Sequence, residues 1–140
     1  MTGAISSVAL GTIGRAIKKA INAGKFAKAG IRIVNKKYAN KVFKLTGKLA
    51  EKYGKGIKFN KYGFPNFSKY AKYTTKIKGL TGNYAKDAAN ARVGLRCTPK
   101  GFTWHHVEDG LTMMLIPTDL HNAVRHTGGA ALIRKLLNSI

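Results

Sequence analysis

The sequence predicts an α+β fold: a strand–turn–strand–helix unit near the C-terminus, preceded by a basic, mainly helical N-terminal region. Three observations point there. Asp109-Gly110 is a strong two-residue hairpin signal between two short apolar runs, because Asp and Gly tolerate the positive φ of a type I′ turn. Pro117 stops the second run, since it cannot donate to a strand ladder, and Thr118-Asp119 follows as a helix start. Apolar residues recur at helical spacing through the first fifty residues.

Residues 1–52 read as helical. Leu10, Ile13, Ile17 and Ile21 share one face, with Arg15, Lys18 and Lys19 between them. A second stretch, from about Ala29 to Tyr53, has Val34, Tyr38, Val42, Leu45 and Leu49 as its apolar positions. The uncharged run Met1 to Gly14 is too short and too glycine-rich to span a bilayer. It also lacks the charged n-region and cleavage pattern of a secretory signal peptide. A cationic amphipathic segment of this kind can lie on a membrane surface.

From Lys55 the texture changes. Gly56 to Phe59 and Phe64 to Phe67, joined by Asn60 to Gly63, read as a short hairpin or paired extended segments. Tyr70 to Ile77 is extended at its end. Thr81 or Asn83 caps a helix running to about Arg92, with Gly94 as its C-terminal residue. Phe102 to Val107 and Leu111 to Ile116 form the predicted hairpin, which sets His105 opposite Met114 and His106 opposite Met113. Thr118 is the predicted N-cap of a helix beginning at Asp119, and Ala130 to Leu137 is a last short helix with Arg134 and Lys135 on its polar side. The chain thus divides into residues 1–52 and 53–140, with the strand–turn–strand–helix unit at 101–126. A single cysteine, Cys97, excludes an internal disulfide.

Charge dominates the composition. There are 26 Lys and Arg against 5 Asp and Glu, a net of +21. Residues 1–100 carry 23 basic and 2 acidic side chains, whereas 101–140 carry 3 and 3. The C-terminal unit is therefore neutral, and the rest of the chain supplies a positive field that favours polyanions. Nothing in it reads a base sequence, so phosphate-directed, salt-sensitive contacts are expected.

All four histidines, His105, His106, His121 and His126, fall within 22 residues of that neutral unit. Imidazole is a common ligand for divalent first-row metals, and a ligand from the hairpin with one or two from the helix would hold one ion. Neighbours on a regular strand point to opposite faces, so His105 and His106 cannot both face one ion without a bulge. If one ligates, the other is left to act as a base. His121 and His126 are five apart, about 140° around an ideal helix, so the helix must end between them if both bind. Thr127-Gly128-Gly129 supplies a stop.

Trp104-His105-His106, Leu115-Ile116-Pro117 and the His121–His126 pair followed by Gly128-Gly129 resemble the HNH/endonuclease VII superfamily. More narrowly, they resemble its branch with a conserved Trp-His-His, found at the C-termini of bacterial polymorphic toxins. The likeness extends upstream through Gly63-Phe64-Pro65-Asn66-Phe67, Thr81-Gly82, Asp87, Asn90 and Thr98-Pro99, covering roughly residues 55–135.

The resemblance implies a ββα-metal (His-Me finger) nuclease core holding one divalent ion, Mg, Mn, Zn or Ni. It implies that His105 binds the metal, that His106 is the general base, that His121 is the helix ligand and that His126 is a further ligand. Trp104 belongs to the same catalytic motif and reads either as core packing or as a base-stacking surface. Arg125 and Lys100 are candidate phosphate contacts. The residue that orients the base is expected near Thr112 to Met114; the branch has Gln where this chain has Met114, so that role is unassigned. The implied activity is that of a metal-dependent, non-specific DNase, the C-terminal effector of a secreted antibacterial toxin acting in the target cell's cytoplasm. An acidic immunity protein and transient membrane contact of the N-terminal region during delivery go with it. The alternatives are an RNase of the same superfamily and a non-catalytic cationic module that binds nucleic acid or membrane.

Overall fold

The computed structural model describes residues 33–77, 79–92 and 97–138, except for the side chains at 136–138. The helical expectation for residues 1–32, and Gly94 as a helix end, lie outside the described residues. In chain order the elements are β1 (Val42–Lys44), α1 (Gly47–Tyr53), β2 (Gly56–Lys58), β3 (Tyr73–Lys76), α2 (Tyr84–Ala91), β4 (Phe102–His106), β5 (Thr112–Pro117), α3 (Thr118–Ala123) and α4 (Gly129–Asn138). Single 3₁₀ turns stand at Lys36–Tyr38 and Ser68–Tyr70.

The hairpin forms in the expected register: His105 pairs with Met114 and His106 with Met113. Its turn differs from the expected type I′. Only Gly110 takes a positive φ, of 71°, and its N–H donates to Val107 O across Glu108 and Asp109. The Asp109 carboxylate instead accepts from Leu111 N, Thr112 N and Thr112 Oγ1. A side chain that satisfies the turn's own donors removes the need for Asp109 itself to adopt a left-handed conformation. The helix start shifts by one residue as well. Pro117 precedes α3, and Thr118 lies inside it, its hydroxyl 2.6 Å from that of Thr103.

β3 pairs with the outer side of β5, giving a three-stranded antiparallel sheet of order β3–β5–β4. Alternation along its strands sends residues to two faces. Trp104, Met113 and Leu115 pack with Ala88 and Ala91 of α2 and with Leu132 and Ile133 of α4. On the other face Ile116 packs with Leu120, Val124, Phe67, Phe59, Ile57 and Leu45. Asn83 caps α2 by accepting from Lys86 N, one of the two caps expected.

The predicted helix over 29–53 is corrected in its middle. Val42–Lys44 is a strand paired antiparallel with β2, and among the described residues of that stretch only Gly47–Tyr53 is α-helical. Asn35 and Asn40 adopt φ of 61° and 60°, which interrupts a right-handed helix between them and the strand. The spacing of Tyr38, Leu45 and Leu49 suits burial in either conformation, and all three pack into the same cluster. Residues 33–53 are integral to the C-terminal unit: Leu45 is in its core, Lys52 pairs with Asp119 at 3.0 Å, and Val34 N donates to Thr127 Oγ1 at 2.8 Å. A boundary at residue 53 would cut β1 from β2.

Gly129 shows how closely α4 is seated. A Cβ there would fall 2.1 Å from Val107 O and 2.8 Å from His106 O, so only glycine lets the helix start against the end of β4.

Candidate metal centre

β4, α3 and the loop after it converge three imidazoles. His105 comes from β4, His121 from α3 and His126 from the loop, and one nitrogen of each lies within 4.8 Å of the others. α3 ends at Ala123 and Val124 is extended, so the chain turns His126 back toward His121. The break falls before the Thr-Gly-Gly stop expected from sequence.

The donor set fits a divalent ion. With metal–imidazole bonds of about 2.0–2.1 Å and tetrahedral angles, two ligand nitrogens stand about 3.3–3.4 Å apart. His105 Nδ1 and His121 Nε2 are 3.3 Å apart. His126 Nδ1 donates to Val124 O at 2.6 Å, which leaves its Nε2 with the lone pair, the outer-shell arrangement typical of ligating histidines. All three rings are held neutral, as ligands must be. Burial is the main cause of each lowered pKa; it brings His121 to about 4 and His105 well below the usual imidazole value, with repulsion from neighbouring histidines adding to both. His126 is lowered by burial, against the opposing bond to Val124.

Phe67 backs the cluster. Its ring centroid lies 5.0, 5.9 and 5.6 Å from those of His105, His121 and His126. In the sequence Phe67 closes an extended segment and belongs to the upstream part of the resemblance; its packing against all three imidazoles appears only in the fold.

His106 points to the opposite face, as strand alternation requires. Its Nε2 is 2.8 Å from Asp87 Oδ2, and both side chains are buried. Asp87 lies in the first turn of α2 and also accepts from Thr81 N, Thr81 Oγ1 and Gly82 N. A carboxylate held by three donors is an acceptor toward the imidazole, so the Nε2–H of His106 donates to it and Nδ1 is the nitrogen turned away from Asp87. This is the orienting contact that sequence reasoning sought on the second strand. β5 does not supply it: Thr112 is engaged by Asp109, and Met113 and Met114 are apolar. The available signal was that Asp87 is the lone acid between Glu51 and Glu108 in a strongly basic stretch.

The two sets of histidines open on one cleft of about 450 Å³, lined among others by His105, His106, His121, Arg125, His126 and Arg134. They meet because His105 and His106 are the last residues of β4, where the sheet no longer separates its faces. Trp104 forms a wall of the cleft. It is 1% exposed, its indole Nε1 donates to Thr98 Oγ1, and Tyr73 packs edge-on against it, so of the two readings it takes core packing. Arg125 is exposed at the cleft. Lys100 does not line it; it stands in the turn before β4, at the other end of the strand from His106.

Residues 96–136 match a family described as a nuclease of the HNH/ENDO VII superfamily with conserved WHH. The matched stretch includes Trp104, all four histidines and the whole hairpin, and it carries a nuclease, hence phosphodiester-hydrolysing, assignment for that segment. It covers less than a third of the chain and omits Asp87. No curated protein matches the chain.

Proposed function

We propose that this chain is a metal-dependent, sequence-indifferent endonuclease acting on DNA, the effector portion of a larger secreted antibacterial toxin that works in the cytoplasm of the target cell. The observation that carries the enzymatic part is the cleft itself: three neutral imidazoles within 4.8 Å of one another, beside a fourth whose proton is fixed on the far nitrogen by a buried carboxylate.

His105, His121 and His126 hold the ion, and the group contains no carboxylate. Neutral nitrogen donors suit Zn or Ni better than Mg, which prefers oxygen. When bound, the ion supplies Lewis-acid charge at a phosphate oxygen and eases departure of the leaving oxygen. His106 takes the proton of the attacking water on Nδ1, a contribution of about 10²–10⁴ in rate. Asp87 keeps the ring in that tautomer and stabilises the imidazolium that forms. Arg125 contacts a phosphate at the mouth of the cleft. The net charge of +21 concentrates nucleic acid at the surface and gives cleavage a steep salt dependence.

A nuclease toxin needs neutralising in the cell that makes it, and an acidic immunity protein, steered by the positive field, is the partner this charge suits. Size-exclusion chromatography with an acidic protein encoded beside this chain is expected to give a stable complex; free migration of every such candidate would count against that part. The catalytic reading is tested by supercoiled-plasmid digestion with and without chelator, with structured RNA in parallel. Nicking that stops in chelator and returns with Zn or Ni is expected. Nicking that persists in chelator would overturn the metal mechanism, and cleavage of RNA alone would move the substrate.

A further inference from the structure

Arg134 reads from sequence as a solvated residue on the polar side of the last helix, yet its side chain lines the cleft. Its Nη1 donates to Gly82 O at 2.5 Å. Gly82 has φ of +80°, and a Cβ there would lie 2.6 Å from Arg134 Cγ and 2.8 Å from Ala130 O, so the arginine stem lies directly on the glycine backbone. The N–H of the same Gly82 donates to Asp87 Oδ2 at 2.9 Å, and that oxygen is 2.8 Å from His106 Nε2. One glycine therefore fixes two groups: through its carbonyl the guanidinium, and through its amide the carboxylate that orients His106.

No carboxylate among the described residues pairs with Arg134. A guanidinium has five N–H donors in a rigid fork. The bond to Gly82 uses one donor and sets the plane of the group. A fixed cation beside an imidazole whose Nε2 is held by a buried carboxylate is the arrangement expected for an anion that must be held while water attacks it.

We propose that Arg134 is a phosphate-binding residue of this cleft, donating to non-bridging oxygens of the scissile phosphodiester on the side where His106 stands. The inference rests on the nuclease reading above. It assigns the His106 side of the substrate to α4, and it gives Gly82 the task of aligning phosphate and base together.

The test compares the native chain with Arg134→Gln, Arg134→Lys and, as a neighbour outside the cleft, Lys135→Gln. Binding to whichever of duplex DNA or structured RNA the native chain cleaves is measured in chelator over a salt series. Loss of one phosphate contact lowers the slope of log affinity against log salt by about 0.9 on a duplex and about 0.7 on single strands. Arg134→Gln is expected to show that loss and to cleave about 10²-fold more slowly, with ion stoichiometry unchanged. Arg134→Lys is expected to keep the slope and recover part of the rate, and Lys135→Gln to cleave as the native chain does. An unchanged slope in Arg134→Gln overturns the proposal even if cleavage slows, because Arg134 would then be only a brace for Gly82. Should Arg134→Gln fail to fold, Arg134→Lys carries the test. Lysine cannot span Gly82 O and a phosphate in a fixed fork, so a higher KM supports the proposal, and an unchanged KM overturns it whether or not kcat falls. His121→Ala separates this inference from the reading beneath it. If His121→Ala also cleaves at the native rate, the metal mechanism fails; if only the Arg134 variants do, the mechanism stands without Arg134.

Discussion

His105 and His106 are neighbours in sequence and belong to different chemical worlds. His105 faces the side of the sheet covered by α3 and Phe67, where its polar neighbours are two other imidazoles. His106 faces the side covered by α2 and α4, where a buried carboxylate takes its Nε2. Both are at least nine-tenths buried. The difference is one step of strand alternation: it sets one histidine among imidazoles and turns the Nε2 of the other to a carboxylate, and the proposed roles of ligand and base rest on that contrast.

The largest effect expected from this contrast is on the cluster side. His121→Ala leaves two imidazoles and is expected to abolish tight ion binding by calorimetry and to reduce cleavage to background. On the other face, His106→Ala is expected to bind the ion as the native chain does while turnover falls by about 10²–10⁴. Retained turnover there would remove the base assignment and leave the metal centre intact. Smaller again, Asp87→Asn keeps the shape but loses the charged acceptor, and turnover should fall by roughly 10–100-fold with the ion still bound. Asp87→Ala is a poorer probe, because it strands the donors of Thr81 and Gly82 and lowers stability by about 1–3 kcal/mol.

The smallest effect is on stability against pH. His121 is lowered from 6.5 to about 4 in the folded chain, and His105 and His126 shift the same way. Between those values the unfolded chain binds a proton at His121 that the folded chain refuses, so stability falls as pH drops from about 6.5 toward 4 and rises in the other direction. Thermal melts of the metal-free chain are expected to show that slope. His121→Gln should flatten it, and a slope unchanged in that variant would remove His121 as its source.

Legibility in the sequence followed locality. The hairpin and its register could be read because their determinants lie within a few residues of one another, whereas the helix break was expected at Thr127-Gly128-Gly129 and falls instead after Ala123. Val42–Lys44 was read as helix because its apolar neighbours fit a helical period as well as a strand, and the deciding partner, β2, lies beyond α1. Asp87 was visible as an isolated acid, but its role depends on a pairing 19 residues away that only the packing of α2 on the sheet creates. Arg134 lies still further from Gly82, 52 residues along the chain. Phe67 and Trp104 share one lesson: an aromatic beside the site is recognisable, whereas which face it presents is set by layers the sequence does not order.

The most direct measurement is a nitrogen-resolved NMR titration of the four imidazoles with Zn²⁺. The account predicts that one nitrogen each of His105, His121 and His126 shifts on ligation at one equivalent, while His106 keeps its proton on Nε2 with Nδ1 unliganded. Ligation of His106, or failure of His105 and His121 to respond to the same ion, would contradict it.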